Sequence, residues 1–565
     1  MLKFNEIKTR NELAEYLNIP RRQLSYILYV KGINNLYTSF EIPKKNGGSR
    51  KINAPSGDLK DIQLKLAEAL YAHVKKKLNK KNNISHAFEK NKSIITNAKI
   101  HRNKRWVLNI DLENFFESIH FGRVRGFFNK NNNFLLPIEV ATVIAQISCY
   151  EGKLPQGGPS SPVISNLICE ILDYRLLKIA KKYKLNYTRY ADDLTFSTNE
   201  KKFPELQMDF YKEISKEIRR AGFIVNEKKK RLQYEDSRQE VTGLVVNKKV
   251  NVNRTYYKKT RAMAHQLYKQ GSFEIDGEPA TINQLEGRFA FINQLTWYNN
   301  KIDGVKRNFR NLSSREREYQ KFLFYKYFFS NPKPLIVTEG KTDIAYIKSA
   351  LKNLHDEYPD LISKNSDGTF ELKVSFLKKT KRLKYFLGIY QDGGSALNNI
   401  YEFFDSRKPI PNYIKYFKKI SNSLPQNPVF LMFDNEIRSG KKKPIGKFID
   451  HVKLGDEKKG ILEKDYMVNI VDNLNILTVP LIKGKSECDI EDLFDDTVLS
   501  HIINGKEFNK KDNYDSSKYY GKEIFSKHIL KNYTSVDFSE FRSVLNNINN
   551  IVNDQKKALK EKSMV

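Results

Sequence analysis

The spacing of hydrophobic positions divides the chain into a first part with mixed helices and strands and a second part in which the two alternate. Within residues 1–40, NELAEYLNIPRRQLSYILYV has apolar residues three and four apart, which predicts helices. Two β-like pieces, YTSFEIP and RKINAP, follow, and then LKDIQLKLAEALYAHVKKKL returns to the helical period. Beyond the proline-containing linker at NPKPLIVTEG, strands alternate with helices, which predicts an α/β domain with a mostly parallel sheet.

The stretch TRYADDLTFST, residues 188–198, has the pattern of a half-buried strand because Tyr190, Leu194 and Phe196 lie at even spacing. Its centre holds Asp192 and Asp193. Adjacent carboxylates raise each other's pKa, and aspartate is disfavoured inside a strand. Two interpretations follow: a hairpin turn, where aspartate is common, or a pair of divalent cations held at the tip of that hairpin.

The charge of the chain points to a polyanionic partner. Lysine and arginine number 99 against 65 acidic residues, a formal net charge of +34, which favours nucleic acid, with a membrane surface as the competing partner. No apolar run approaches the roughly 20 residues of a spanning helix, and the N-terminus is charged from Lys3 onward. Three distant cysteines without a CxxC pair favour neither a zinc ribbon nor a disulfide framework. We therefore expect a cytoplasmic protein that makes no membrane contact.

A third acid accompanies the aspartate pair. VLNIDLENFFESI places Asp111 at the end of a buried strand, so three carboxylates would lie on two neighbouring strands. Such a set suits two Mg²⁺ ions, which could activate a 3′-hydroxyl and stabilise a leaving pyrophosphate. Between the acid segments, LPQGGPSSP (residues 154–162) combines small residues with the start of a helix, where backbone N–H groups can meet phosphates.

The ordered set RKI, NIDLENFF, LPQGGPSSP, RYADDLTFS, AGFIVNEKKKRL and VTGLVVN resembles reverse transcriptases over about residues 35–315. The resemblance implies the fingers, palm and thumb of a right hand, with Asp111, Asp192 and Asp193 as ligands of two Mg²⁺ ions and deoxynucleoside triphosphates as substrates. It also implies substrate-binding roles. Phe116 would reject a 2′-hydroxyl, with core packing as the alternative; Gln156 would line the nucleotide pocket; Arg50 would contact the triphosphate; and Lys229 would assist pyrophosphate departure, with a solvated lysine as the alternative.

Two shorter matches resemble the retron branch of these enzymes. TNAKIH contains the Asn-Ala-x-x-His signature as Asn97 and His101, and Val241, Thr242 and Gly243 form the Val-Thr-Gly triplet. The resemblance implies a cognate non-coding RNA, part of which is copied into branched msDNA from a 2′-hydroxyl. These five residues are expected to serve RNA binding, His101 by holding the template, with a structural histidine as its alternative. The basic, aromatic segment 254–269 suits phosphate contacts and base stacking.

A second acid cluster lies in the C-terminal part. LIVTEGKTD ends a strand at Glu339, and VFLMFDNE ends another with Asp434 and Glu436, at the strand ends where α/β sheets bind ligands. This resembles the Toprim domain over about residues 333–500, which implies Mg²⁺ or Mn²⁺ on these three acids. Toprim domains usually have Asp-x-Asp where this chain has Asp434-Asn435-Glu436, which leaves the site's geometry open. In CDIEDLF, Glu491 stands beside Asp492; Glu491 and the later Lys522 loosely resemble positions of overcoming-lysogenization-defect nucleases.

Together these patterns predict a multidomain α+β polymerase followed by an α/β, Rossmann-like Toprim domain. The expected function is a retron reverse transcriptase fused to a metal-dependent nuclease effector in antiphage defence, with a nucleic-acid target for the Toprim domain. Two alternatives stay open: a C-terminal domain that only binds nucleic acid, and a polymerase of another bacterial class. Whether the chain forms a homo-oligomer is also open. The expected domains are N-terminal helices and fingers (1–105), palm (106–250), RNA-binding thumb (251–330), Toprim domain (331–500) and a helical extension (501–565).

Overall fold

The computed structural model describes residues 3–44, 47–77, 83–390, 395–406, 409–482, 484–511 and 513–563. The chain divides into two compact units, Met1–Arg254 and Thr255–Val565. None of the described helices combines the length and apolar character that a membrane-spanning segment needs.

The first unit is built around an antiparallel sheet. Its helices are α1 (Arg10–Tyr16), α2 (Arg21–Tyr26), α3 (Gly57–Lys77), α4 (Ile94–Ala98), α5 (Phe121–Lys130), α6 (Ile138–Ser148), α7 (Ser161–Lys182) and α8 (Phe203–Arg220). Its strands are β1 (Tyr37–Pro43), β2 (Ser49–Pro55), β3 (Trp106–Glu113), β4 (Asn186–Tyr190), β5 (Asp193–Thr198), β6 (Ile224–Val225), β7 (Arg231–Tyr234), β8 (Glu240–Val241) and β9 (Leu244–Val245). The sheet has the order β4-β5-β3-β6, and β7 also pairs with β3. β1 and β2 form a separate hairpin, as do β8 and β9.

The stretch 188–198 is a hairpin and not one continuous strand, so the first expectation for it is wrong. β4 ends at Tyr190 and β5 begins at Asp193, and these two residues lie directly opposite each other. Opposite residues of an antiparallel pair share a face, so Tyr190 and Leu194 point to opposite faces of the sheet. Every residue of β5 after Asp193 is buried, so the strand is not half-buried either.

The second unit contains a mostly parallel sheet, as the sequence predicts. Its helices are α9 (Arg254–Gln270), α10 (Ile282–Ile302), α11 (Ser314–Phe324), α12 (Asp343–Asn353), α13 (Lys381–Leu387), α14 (Ser395–Glu402), α15 (Tyr413–Ser421), α16 (Pro444–Val452), α17 (Asp456–Asp465), α18 (Asp496–Leu499), α19 (Lys522–Lys531) and α20 (Arg542–Ser563). Its strands are β10 (Glu274–Ile275), β11 (Glu278–Pro279), β12 (Leu335–Thr338), β13 (Ile362–Lys364), β14 (Phe370–Leu372), β15 (Ser375–Phe376), β16 (Val429–Phe433), β17 (Met467–Val471), β18 (Leu474–Thr478), β19 (Glu507–Phe508) and β20 (Tyr519–Tyr520). The main sheet has the order β15-β12-β16-β18-β17, and only β17 runs antiparallel to its neighbour.

Alternate residues of the central strands enter two different hydrophobic cores. In β16, Leu431 and Phe433 belong to one core, whereas Phe430 and Met432 belong to the other. A strand buried on both faces reads as a continuous apolar run, which is why VFLMF shows no polar alternation. The first of these cores also includes residues of α9, α10 and α11, so the helices expected to form a thumb share one core with this sheet.

Candidate active sites

The Ala191–Asp192 turn brings three acids to one end of two strands. Asp111 of β3 lies directly opposite Asp193 of β5 in antiparallel register. Asp192 occupies the turn, and its carbonyl oxygen accepts a hydrogen bond from the backbone N–H of Leu112 at 3.1 Å. Pairing between β3 and β5 therefore assembles the set that the sequence singles out.

Asp192 and Asp193 lie in an environment that disfavours negative charge. Burial, followed by the charges of Asp192 and Asp111, raises the pKa of Asp193 to about 7. Burial also raises the pKa of Asp192, with a smaller contribution from Asp111. The Lys229 ammonium lies 3.0 Å from both carboxylate oxygens of Asp111, and the charge of Arg50 opposes the shift at Asp192. Such a set favours a bound cation, since added positive charge would stabilise all three acids.

The donor chemistry of this site suits Mg²⁺, a hard cation that prefers carboxylate oxygens. Among the described residues, however, no three histidine, cysteine, aspartate or glutamate side chains converge closely enough to hold one metal ion as they stand. Lys229 supplies the cation that contacts Asp111 in this structure.

The raised pKa of Asp193 leads to a pH-dependent stability. The unfolded side chain loses its proton near pH ~3.9, whereas the folded one keeps it until about pH 7. In this window the folded state binds more protons, so the free energy of unfolding falls as pH rises and levels off above pH 7. Asp193→Asn has no carboxylate at this position, so its free energy of unfolding does not fall for this reason as pH rises. With divalent cations removed by EDTA, its unfolding temperature relative to wild type should increase from pH 5 to pH 8 in calorimetry. The same difference at both pH values would contradict the shift, and Asp209→Asn, at an exposed site, serves as the control.

Besides Lys229, the three other residues expected to bind the substrate lie on separate elements. Phe116 is half-buried, with its ring centroid 5.2 Å from that of the core residue Phe115 and 6.2 Å from that of Phe88. Arg50 is exposed on β2. The Gln156 carbonyl accepts a hydrogen bond from the backbone of Asn53 at 2.9 Å, which ties the Gly-rich loop to the same strand.

A glycine is required where that loop meets β2. Gly157 has a φ of +127°, and a Cβ atom there would lie 2.8 Å from the carbonyl oxygen of Asn53. Any side chain would therefore push the loop away from the strand.

The two short signatures of the first unit contact each other. Helix α4 packs against the β8–β9 hairpin, where the Thr242 hydroxyl lies 3.5 Å from the carbonyl oxygen of Ile94. Thr242 and Gly243 form the turn. Both have positive φ, +47° and +78°, as a two-residue type I′ hairpin turn requires. Val241 is fully buried below that turn. Local structure thus accounts for the triplet: Val241 packs in the core, and Thr242 and Gly243 form a tight turn.

His101 and Asn97 are fully buried, so neither side chain is accessible to RNA in this fold. The His101 ring bonds the Ser197 hydroxyl through Nδ1 and the Thr188 hydroxyl through Nε2, each at 2.7 Å. Burial lowers its pKa to about 3, which keeps the ring neutral. The expected template contact of His101 therefore gives way to its structural alternative: the ring connects β4 and β5. The side-chain amide of Asn97 has no hydrogen-bond partner among the described residues.

The second acid cluster lies where two parallel strands end. β12 pairs with β16, so Glu339 and Asp434, which follow them, meet at the same edge of the sheet. Burial raises the pKa of Glu339 to about 7, with help from Asp343 and Glu436. Burial raises the pKa of Asp434 well above its ordinary value, with further contributions from Asp343 and Glu339. Glu436 contacts the Lys443 ammonium.

Asp343, which the sequence interpretation passed over, belongs to this cluster. It lies four residues after Glu339, and its carboxylate accepts the backbone N–H of Gly340 at 2.9 Å. A Cβ atom on Gly340 would lie 2.8 Å from Asp343 Oδ1, so the glycine makes room for the acid. The segment EGKTD contains a signal for this role: Asp343 is the first residue of helix α12, and this helix follows strand β12 closely along the chain.

Glu491, which is buried, and Lys522, which is partly exposed, form an ion pair beside this cluster. The Lys522 ammonium lies 2.9 Å from Glu491, which is fully buried and also accepts the Tyr346 hydroxyl at 3.3 Å. Burial raises the pKa of Glu491, and its charge acts on Asp434. Asp492 behaves differently. Although burial opposes its charge, Lys485 and Lys510, at 2.6 and 2.5 Å, hold its pKa well below the usual range.

Comparison with known proteins identifies relatives of part of this chain. The family described as "Reverse transcriptase (RNA-dependent DNA polymerase)" matches residues 42–255. The retron Ec86 reverse transcriptase of Escherichia coli is 35% identical over 269 residues, which cover 47% of this chain and 80% of that protein. The retron Mx162 reverse transcriptase of Myxococcus xanthus is 31% identical, over 51% of this chain and 64% of that protein.

Among solved structures, telomerase from Candida albicans, in complex with a fragment of telomeric RNA, superposes with a TM-score of 0.30 at 11% identity. That match covers 52% of this chain and 60% of the telomerase, and its score is too low to bear on function. The sequence relatives and the family match carry the assignment. This chain belongs to the retron reverse transcriptase family.

Proposed function

We propose that the first unit synthesises DNA on an RNA template with two Mg²⁺ ions held by Asp111, Asp192 and Asp193. The pairing of Asp111 with Asp193, beside the Asp192 turn, carries this proposal. When bound, the ions would favour loss of the 3′-hydroxyl proton and stabilise charge on the leaving pyrophosphate. Lys229, already at Asp111 and otherwise exposed, can hold a proton close to that leaving group.

Phe116 is proposed to exclude ribonucleotides. Its half-buried ring can contact the sugar of an incoming nucleotide, whereas Phe115 is fixed in the core. Phe116→Val shortens the side chain, so incorporation of ribonucleotides relative to deoxyribonucleotides should rise by about 10–100-fold. Primer extension with each nucleotide class gives this ratio from kcat/KM values. An unchanged ratio would favour core packing as the only role of Phe116, and Phe127→Val is a control for loss of a partly buried ring elsewhere.

The template is proposed to be a cognate non-coding RNA, copied in part into branched msDNA. Support comes from family membership and from the contact between α4 and the β8–β9 hairpin, which joins both retron signatures in one feature. Within it, Thr242 and Gly243 lie at the turn, while Asn97, His101 and Val241 are buried. We therefore assign RNA contact to the turn and a supporting role to the buried residues. The net charge of +34 suits a polyanionic partner such as RNA.

Nucleic acid bound to the protein tests this proposal. The gene would be expressed with its native flanking DNA, the protein purified, and the bound nucleic acid separated on a denaturing gel after RNase or DNase treatment. A discrete small DNA with an RNase-sensitive branch, absent from the Asp192→Asn/Asp193→Asn variant, is the expected result. A well-folded protein without such DNA would overturn the retron product and leave a reverse transcriptase with a different template.

For the second unit we propose a metal-dependent phosphodiesterase of the Toprim type, acting on DNA or RNA. Its support is the half-buried acid cluster at the ends of β12 and β16, where Glu339 and Asp434 have raised pKa values. Mg²⁺ or Mn²⁺ at Glu339, Asp434 and Glu436 would supply charge stabilisation for phosphodiester cleavage. A domain that only binds nucleic acid is the alternative, and metal-dependent cleavage distinguishes the two.

A defence role follows as a further part of the proposal: msDNA would restrain the nuclease until infection disturbs it. Cells in which DNA synthesis is abolished should then show altered toxicity that depends on Glu339. Toxicity that persists unchanged in Glu339→Ala would contradict this arrangement.

A further inference from the structure

An ion pair shielded from water lies beneath the turn that carries Asp192. The side chains of Arg189 and Asp173 are 0% and 2% exposed. Arg189 donates from Nε and Nη2 to the two carboxylate oxygens of Asp173 at 2.8 and 2.7 Å, and the Tyr187 hydroxyl donates to the same acid at 2.9 Å. Burying such a pair is a poor route to stability, because apolar residues of similar size often serve as well. Its place in the fold therefore points to a second role.

The remaining guanidinium nitrogen of Arg189 reaches the turn itself. Nη1 donates to the carbonyl oxygen of Ala191 at 3.3 Å and to Asn166 Oδ1 at 3.2 Å. Ala191 has a φ of +56°, a conformation that residues with a Cβ atom seldom adopt. Its carbonyl belongs to the peptide unit before Asp192, and the unit after Asp192 is held by the Leu112 N–H. Both peptide units that flank Asp192 are thus fixed, one by Arg189 and the other by β3.

The same network extends to the wall of the proposed nucleotide pocket. Asn166, which accepts from Arg189, donates through Nδ2 to the carbonyl oxygen of Ala87 at 2.9 Å. The next residue, Phe88, is the ring neighbour of Phe116. One buried cation therefore connects the acid-bearing turn with the backbone beside the proposed sugar-selecting residue.

We propose that Arg189, oriented by Asp173, is a positioning residue for DNA synthesis: it sets the backbone of the Ala191–Asp192 turn and thereby the direction of the Asp192 carboxylate. The inference rests on the proposed role of the acids at this site. Arg189 touches neither substrate nor the reacting atoms. Arg189 affects the rate of DNA synthesis, because that reaction needs the Asp192 carboxylate in place. It does not affect the binding of the nucleotide by other residues.

The test uses Arg189→Lys and Asp173→Asn in the full chain, assayed by primer extension on an RNA template. A lysine keeps the charge but cannot pair with both oxygens of Asp173 and also donate to Ala191. We expect kcat to fall by about 10–100-fold in Arg189→Lys, since small displacements of catalytic groups have effects of this size. The KM for the nucleotide should stay within about threefold, since Arg50 and Gln156 are untouched. Asp173→Asn keeps an acceptor for Arg189 and should show a smaller fall in kcat, with the same constant KM.

Arg175→Lys is the matched control. Arg175 lies on α7, as Asp173 does, and pairs with Glu217 at 3.2 Å, but this pair is partly exposed. Within the described part of the chain, neither of its members bonds to the network of Arg189, Asn166 and Ala191. All variants are compared well below their unfolding temperatures, so that every sample is folded. A purely structural role would lower the unfolding temperature of Arg189→Lys while its kcat stayed within about threefold of wild type, and this would overturn the proposal. If Arg189→Lys does not fold, Asp173→Asn is used instead: a lower unfolding temperature with kcat within about threefold of wild type would overturn the proposal. An inactive wild-type protein would instead refute the proposed function.

Discussion

Replacing Asp192 and Asp193 together with asparagine is expected to abolish RNA-templated DNA synthesis, with a fall of at least ~1000-fold. Asparagine keeps the shape of each side chain but removes the charge that a divalent cation requires. Burial and mutual repulsion raise the pKa of both acids, so their ionisation lowers the free energy of unfolding. The variant should therefore unfold at the same temperature as wild type or higher in EDTA at pH 8. Loss of activity without loss of stability marks residues retained for chemistry.

Primer extension on an RNA template and calorimetry measure the two quantities. Asp209→Asn on helix α8 is the control, because its side chain is 69% exposed and takes no part in the site. Residual synthesis above a tenth of the wild-type rate would remove these acids from the proposed chemistry. A lower unfolding temperature that accounts for the lost activity would make their role structural.

In the second unit, Glu339→Gln and Asp434→Asn are each expected to reduce metal-dependent cleavage of nucleic acid by at least ~100-fold and to leave DNA synthesis unchanged. Both acids are half-buried with raised pKa values, and a bound cation would relieve the repulsion between them. Cleavage of labelled DNA and RNA in Mg²⁺ or Mn²⁺ gives the first readout, with primer extension by the same samples as the internal reference.

A second readout reports metal binding even where cleavage awaits a trigger. In the Asp192→Asn/Asp193→Asn background, Mn²⁺ should raise the unfolding temperature through the second cluster, and Asp434→Asn should remove that rise. Glu463→Gln, in an exposed helical pair with Lys459, is the control. Stabilisation by Mn²⁺ that survives Asp434→Asn, together with no cleavage in any variant, would favour the alternative in which this unit only binds nucleic acid.

Short local motifs made much of both sites predictable. Asp111, Asp192 and Asp193 stand in segments whose order is specific, and Glu339 and Asp434 each follow an apolar run typical of a buried strand. Strand ends at one edge of a parallel sheet converge whatever their distance along the chain, so the second cluster could be predicted from its two strands alone. The mostly parallel sheet is predictable for a different reason, the alternation of strands and helices beyond the linker.

The hairpin shows where such prediction fails. Tyr190, Leu194 and Phe196 keep an even spacing, which indicates one strand, yet the chain reverses at Ala191 and Asp192. A two-residue turn inverts the faces of the following residues. The aspartates are compatible with such a turn, but an alanine gives no local signal for the positive φ that the turn requires at Ala191.

The residue chemistry of this protein follows directly from its sequence: a basic chain with two acid sets at predicted strand ends and a retron-type order of motifs. Which polar side chains can contact a ligand depends on the tertiary structure and cannot be predicted from the sequence. His101 is enclosed by hydroxyls of Thr188 and Ser197, and Arg189 is neutralised by Asp173. The physical reason is desolvation: whether a polar side chain binds a ligand or supports its neighbours depends on the atoms that replace water around it, and these come from distant parts of the chain.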